Sequence, residues 1–158
     1  DRADPLRLRS SVGAPTTQYV HSSPIPHLLA RGRKNPGTSS VSSRTSTSYL
    51  SVATASYQGR GSDTVFVQAK ISLSVSGSTS VGVRVVNGGT TIDSRTISSI
   101  GGVSVSTSGE DMDFFLCGFY TEVAGGNQVF AIQFNENGSA TAYCARAEIT
   151  VIRGFQDL

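Results

Sequence analysis

The alternation of side chains over residues 63–75 is the feature that most limits how this chain can fold. Six small apolar residues occupy every second position there: Val65, Val67, Ala69, Ile71, Leu73 and Val75. A period of two is the geometry of a β-strand that is buried on one face. Weaker versions of the pattern recur at 81–86, 91–98, 103–107, 129–133 and 140–153. No segment has a helical period, so the sequence predicts an all-β domain.

Glycine and asparagine pairs between these segments predict the turns. Asn87-Gly88-Gly89 offers residues that tolerate positive φ, and the Asn135–Gly138 stretch is the clearest hairpin signal. The strand at 63–75 is expected to pair with the one at 81–86 as a long hairpin. About eight short strands with regular turns are typical of an antiparallel jelly-roll sandwich, which we assign to residues 48–158.

Residues 1–47 have a different composition and predict an extended, largely irregular N-terminal arm. All five prolines lie there, and proline fixes φ and removes a backbone donor. Residues 1–60 carry eight Lys or Arg and two Asp, whereas 61–158 carry five Lys or Arg and nine Asp or Glu. We expect the arm to be dispensable for folding and to order on a partner surface. Its expected anchors are Leu6, Leu8, Ile25, Leu28, Leu29, Arg31, Arg33 and Lys34.

The segment 113–121 is apolar on both faces of its expected strand, unlike the alternating segments. In a two-layer sandwich one face meets the opposite sheet, so the other needs a separate cover. A second copy of the chain is the obvious cover. The sequence therefore predicts an oligomer.

Residues 49–155 resemble the trimeric jelly rolls of the TNF/C1q-like type, especially the short variants in viral and phage capsid decoration or head-fibre proteins. The resemblance rests on TVFVQAKISLSV, on TSVGVRVVNGGTTI, and on the run from MDFFLCGFYT to AEITVI. It implies a homotrimer in which the aromatic strand lines the threefold axis. The residues that match this strand are Phe114, Phe115, Leu116, Phe119 and Tyr120.

Residues suited to catalysis are sparse, so no enzyme activity, cofactor or metal is expected. Glu110, Asp111 and Asp113 form the only acidic cluster, and they fall short of a calcium loop. His21 and His27 lie in the arm, away from any nucleophile pattern. Cys117 and Cys144 are expected to be reduced thiols.

The sequence favours a structural virion protein: a trimeric capsid decoration or cement protein whose arm anchors it to the major capsid protein on the virion surface. A small coat protein with a basic inner arm and a secreted C1q/TNF-like trimeric ligand remain alternatives. A carbohydrate-binding jelly roll would have to use Tyr57, Phe66 and Tyr143. Nucleic acid is disfavoured because only Arg31, Arg33 and Lys34 cluster, and no stretch is apolar enough for a membrane span.

Overall fold

The computed structural model describes residues 27–34, 42–100 and 112–153, and all regular structure in these ranges is β-strand. The nine strands are β1 (His27–Lys34), β2 (Ser42–Arg44), β3 (Leu50–Arg60), β4 (Thr64–Val75), β5 (Thr79–Asn87), β6 (Thr90–Ile100), β7 (Met112–Thr121), β8 (Gly125–Glu136) and β9 (Ala142–Arg153).

The strands form two antiparallel sheets with jelly-roll connectivity. The first sheet has the order β1-β9-β4-β7, and the short β2 also pairs with β9; the second sheet has the order β3-β8-β5-β6. Eight long strands divided four and four, with the first beside the last, constitute the jelly-roll sandwich. This confirms the predicted fold class.

The core lies between the sheets and is built from the alternating residues that the sequence indicated. All six apolar side chains of β4 that alternate over 65–75 are buried, and they face Phe130, Ile132 and Phe134 of β8. Burying each such side chain contributes roughly 1.5–3 kcal/mol. Period-two patterning therefore decides which face of each sheet is inward.

Two of the predicted hairpins are wrong. β4 and β5 lie in different sheets, so the turn at 76–78 is an arch across the sandwich. The Asn135–Gly138 turn likewise joins β8 in one sheet to β9 in the other. Only β5 and β6 form a hairpin among the described strands, around Gly88 with φ of 56°. The residue types in a turn indicate that the chain reverses direction there. The sheet that the next strand joins depends on its pairing with strands that are distant in sequence.

The segment assigned to the arm contributes two strands to the fold, which differs from the expected boundary at residue 48. β1 pairs with β9 from His27↔Arg153 to Lys34↔Ala147, and β2 continues along the same edge at Ser42↔Cys144. β1 is thus the first strand of the jelly roll. A local signal was present, since Ala30 and Gly32 alternate with Arg31 and Arg33.

A buried carboxylate closes the end of the sandwich where β3 turns into β4. Glu122 is 3% exposed, and its oxygens accept hydrogen bonds from the Tyr57 hydroxyl and the Gly61 amide, each at 2.6 Å. Beside it, Arg153 donates to Asp63 at 2.8 Å. Burial opposes ionisation of Glu122, yet the hydrogen bonds from Tyr57 and Gly61 outweigh it and hold the pKa of Glu122 below the ordinary value of a glutamate. Burial and the Glu122 contact raise the pKa of Tyr57, which keeps it a donor.

Candidate interaction surface

The five residues that were predicted to form a trimer contact lie on both faces of β7. Leu116 is 2% exposed, and Phe114 and Tyr120 pack against the core, so these three face inward. Phe115 is 67% and Phe119 64% exposed on the outer face. Only the last two can therefore contribute aromatic surface to a partner, because parity turns the others towards the opposite sheet.

An apolar row crosses all four long strands of the first sheet on its outer face. Register aligns Leu28 with Ile152, Ile152 with Phe66, and Phe66 with Phe119. The rings of Phe66 and Phe119 lie 5.0 Å apart between centroids, and Leu28 is 61% exposed. We call these four residues the apolar row. Exposed apolar area that is continuous across strands is typical of a contact surface.

Both edges of this sheet are obstructed. At β1, a Cβ on Gly32 would lie 1.7 Å from the Thr54 carbonyl oxygen, so β1 runs directly against β3 of the opposite sheet. At β7, the Cys117 amide donates to the Asp93 carboxylate of β6 at 3.0 Å. A side chain that occupies an edge donor opposes strand addition at that point. Association by this sheet is therefore favoured through its outer face.

The opposite end of that face is charged. Glu148 on β9 accepts from Arg31 Nη2 at 2.6 Å and from Arg33 Nε at 2.7 Å. The Arg31 contact, followed by the Arg33 contact, lowers the pKa of Glu148 despite partial burial. Arg31 and Arg33, which were expected to bind a capsid, are therefore paired within the chain. Their partner, Glu148, is 117 and 115 residues away from them in the sequence.

A second carboxylate is held on β7 in the same region. Asp113 accepts a hydrogen bond from the Ser72 hydroxyl and lies 3.2 Å from Lys70 Nζ. The Ser72 contact is the largest influence that lowers the pKa of Asp113, and Lys70 and Arg146 act in the same direction. The lowered pKa favours the ionised carboxylate, whose negative charge is balanced by the Lys70 ammonium.

Two adjoining cavities lie on the charged end. The first, of about 260 Å³, we call the basic pocket; its lining is Arg33, Lys34, Lys70, Ser72, Arg146, Ala147 and Glu148. The second, of about 480 Å³, shares Lys70 and Glu148 with it and extends to Phe115. The Lys70 ammonium lies 5.4 Å from the Phe115 ring centroid. Together the cavities join a cationic site to an aromatic wall.

The remaining predicted residues have varied locations. Leu29 packs against the core from a bulge in β1, whereas His27 is exposed on that strand. Leu6, Leu8, Ile25, His21, Glu110 and Asp111 lie outside the described residues. Cys144 is buried in the core and Cys117 is exposed on the outer face of β7, so the two thiols point to opposite sides of the sheet.

The three aromatics suggested for a carbohydrate site do not come together. Tyr57 stacks on Phe130 with centroids 6.0 Å apart and binds Glu122, so it supports the core. Phe66 belongs to the apolar row on the outer face of the first sheet. Tyr143 pairs in register with Ser74 at the other end of β9. A platform of these three rings is therefore not formed.

Within the described ranges, no group of three or more His, Cys, Asp or Glu residues is placed to hold a metal ion. The same ranges contain no helix with the length and hydropathy needed to cross a membrane.

Comparison with known proteins yields similarity of structure only. No family model matches the chain, and no curated protein matches it in sequence. A TNF, Eiger, from S. frugiperda is 10% identical with a TM-score of 0.48, over 80% of this chain and 93% of that one. VP2 of infectious bursal disease virus, in a subviral particle, is 11% identical with a TM-score of 0.45, over 83% of this chain and 34% of that one. A carbohydrate-binding module, CBM36, in complex with calcium and xylotriose is 14% identical with a TM-score of 0.36, over 80% of this chain and 98% of that one. Likenesses at this level bear on neither family nor function.

Proposed function

We propose that the chain is a structural protein of a virion. In this proposal it is a jelly-roll homotrimer that decorates a capsid shell, with residues 1–26 as the attaching arm. The viral context comes from the sequence resemblance. The assembly role is supported by the exposed apolar row on the outer face of the first sheet.

The observation that carries the proposal is the apolar row on a sheet whose two edges are obstructed. Leu28 and Phe119 are both more than half exposed at the ends of this row. A copy of the chain that covers the row would remove their apolar area from water, at roughly 25 cal/mol per Å². Closed symmetry limits the association to a defined oligomer.

The oligomer is tested by light scattering coupled to gel filtration. Wild type should have three times the 16.5-kDa mass of the chain at micromolar concentration. Phe119→Asp should give monomer, because a carboxylate would be buried without a partner. Val123→Asp is the matched control, since Val123 is 89% exposed in the turn after β7 and lies outside the row. A monomeric wild type, or equal effects of both variants, would contradict the trimer.

The virion role is tested separately, by the source of the protein. Density-gradient fractions of the virus that encodes it should contain the chain at a fixed copy number relative to the major capsid protein. Removing residues 1–26 should reduce its occupancy on particles without changing its oligomeric state. Wild-type occupancy after this removal would exclude the arm as the attaching element.

A coat protein that builds the entire shell is a second candidate, and one observation favours it. Since β1 is the first strand of the jelly roll, residues 1–26 precede the sandwich, and their first nine positions carry Arg2, Arg7 and Arg9 against Asp1 and Asp4. A short basic extension can contact an encapsidated genome. Self-assembled shells that retain nuclease-protected RNA or DNA would favour this candidate over decoration.

A further inference from the structure

We propose that the basic pocket and the adjoining groove along Phe115 form a docking site for an acidic protein segment that carries an apolar residue beside its carboxylate. The inference deepens the proposed function, on which the identification of the partner as a capsid protein rests. The site itself is argued from described residues alone.

Charge is the first argument. Four cationic side chains and one carboxylate line the basic pocket. Both oxygens of that carboxylate, Glu148, already accept from Arg31 and Arg33. Asp113 is likewise engaged by Ser72 and Lys70. Among the described residues that line the basic pocket, cationic side chains therefore outnumber carboxylates, which suits an anionic ligand.

Arg146 is the residue best placed to receive the ligand. It is exposed, it lines the basic pocket, and its guanidinium forms neither a hydrogen bond nor an ion pair with another residue of the described ranges. A guanidinium presents a planar fork of donors that matches a carboxylate in two parallel hydrogen bonds. Arg146 thus offers recognition by shape as well as by charge.

The surroundings favour a protein segment over a nucleic acid. Glu148 and Asp113 interrupt the positive surface, and they would repel a continuous run of phosphates, which binds through several simultaneous contacts. A single acidic side chain can enter between them. The groove beyond Lys70 ends on Phe115, whose exposed ring provides apolar area for the residue next to the acid. An aromatic anchor beside an arginine is typical of protein interfaces.

The apolar row and this site are separate parts of one sheet face. Arg146 in the basic pocket and Ile152 in the row are six residues apart on β9, which corresponds to about 20 Å along a strand, whereas the groove along Phe115 extends to Cys117, two residues from Phe119. Trimer contacts at the row and partner contacts at the pocket can therefore be disturbed independently.

The test uses the full chain and a fluorescein-labelled octapeptide of glycine and serine that carries one Asp-Leu pair, titrated by anisotropy. We expect saturable binding that weakens as NaCl rises from 50 to 300 mM, because the charges are exposed. Arg146→Gln should weaken binding on the order of tenfold, as expected for a lost charge-assisted hydrogen bond, and Arg146→Lys should weaken it less. Arg95→Gln, at an exposed arginine of the other sheet, is the matched control and should bind as wild type.

Competitors decide the class of ligand. The proposal is overturned if Arg146→Gln and Arg95→Gln bind the peptide equally, or if a peptide with Asn in place of Asp binds as well. It is also overturned if a DNA octanucleotide or a heparin octasaccharide binds more tightly than the acidic peptide. Light scattering of Arg146→Gln separates this result from the proposed function, because loss of peptide binding by an intact trimer concerns the pocket alone.

Discussion

A Cβ atom at Gly32 would lie 1.7 Å from the Thr54 carbonyl oxygen, in the backbone of the opposite sheet. Gly32→Ala must therefore push β1 away from β3, and we expect it to destabilise the fold by about 1–3 kcal/mol or more. Gly89→Ala is the control, since a Cβ there meets nothing within 4 Å. Urea unfolding measures both variants, and equal midpoints would show that β1 does not pack as described.

Glu122 makes the free energy of unfolding depend on pH. Its folded pKa is lowered below the ordinary value of a glutamate, so its contribution to stability is present above that ordinary value and is lost as the pH falls through the folded pKa. Glu122→Gln should destabilise the protein by about 1–3 kcal/mol at pH 7, because it replaces one of two accepting oxygens with an NH2 donor. Unfolding curves at pH 7, 5, 4 and 3 should converge for variant and wild type at low pH. A constant difference across that range would assign the effect to packing.

Truncation of the chain tests whether β1 is part of the folded domain. β1 joins the sheet through pairs from His27↔Arg153 to Lys34↔Ala147, and its Leu29 and Ala30 pack against the core. A chain that begins at residue 27 should melt cooperatively, near the wild-type temperature. A chain that begins at residue 35 should melt lower or aggregate, since it exposes the edge of β9. If the two truncated chains had equal melting temperatures by circular dichroism, β1 would be dispensable for folding, as the composition of the arm suggests.

The whole molecule should gain stability from assembly, because a folded oligomer is favoured by mass action. The melting temperature of wild type should rise with protein concentration between about 1 and 100 μM, which brackets the micromolar range where assembly is expected. The melting temperature of Phe119→Asp should be lower and independent of concentration. Concentration-independent melting of wild type would indicate that the apolar row is not covered by another copy.

The alternation of residues by itself indicated the strands over 63–75, 81–86, 129–133 and 140–153, although it did not indicate β1 and β2. It placed the alternating apolar residues from Val65 to Val75 in the core, since side-chain parity is a property of each strand alone. It also indicated a two-layer β-sandwich. These features follow from local geometry and need no knowledge of distant residues.

Only the tertiary structure decided which sheet each strand joins. The Asn135–Gly138 turn has hairpin chemistry, yet it forms an arch because β8 finds its partners in β3 and β5. The sequence suggested Arg31 and Arg33 as anchors of the arm, whereas in the structure both bind Glu148, which is far along the chain. The basic pocket exists because β1, β4 and β9 lie side by side. Such features depend on pairing between remote segments, which burial of the whole core selects and no local pattern encodes.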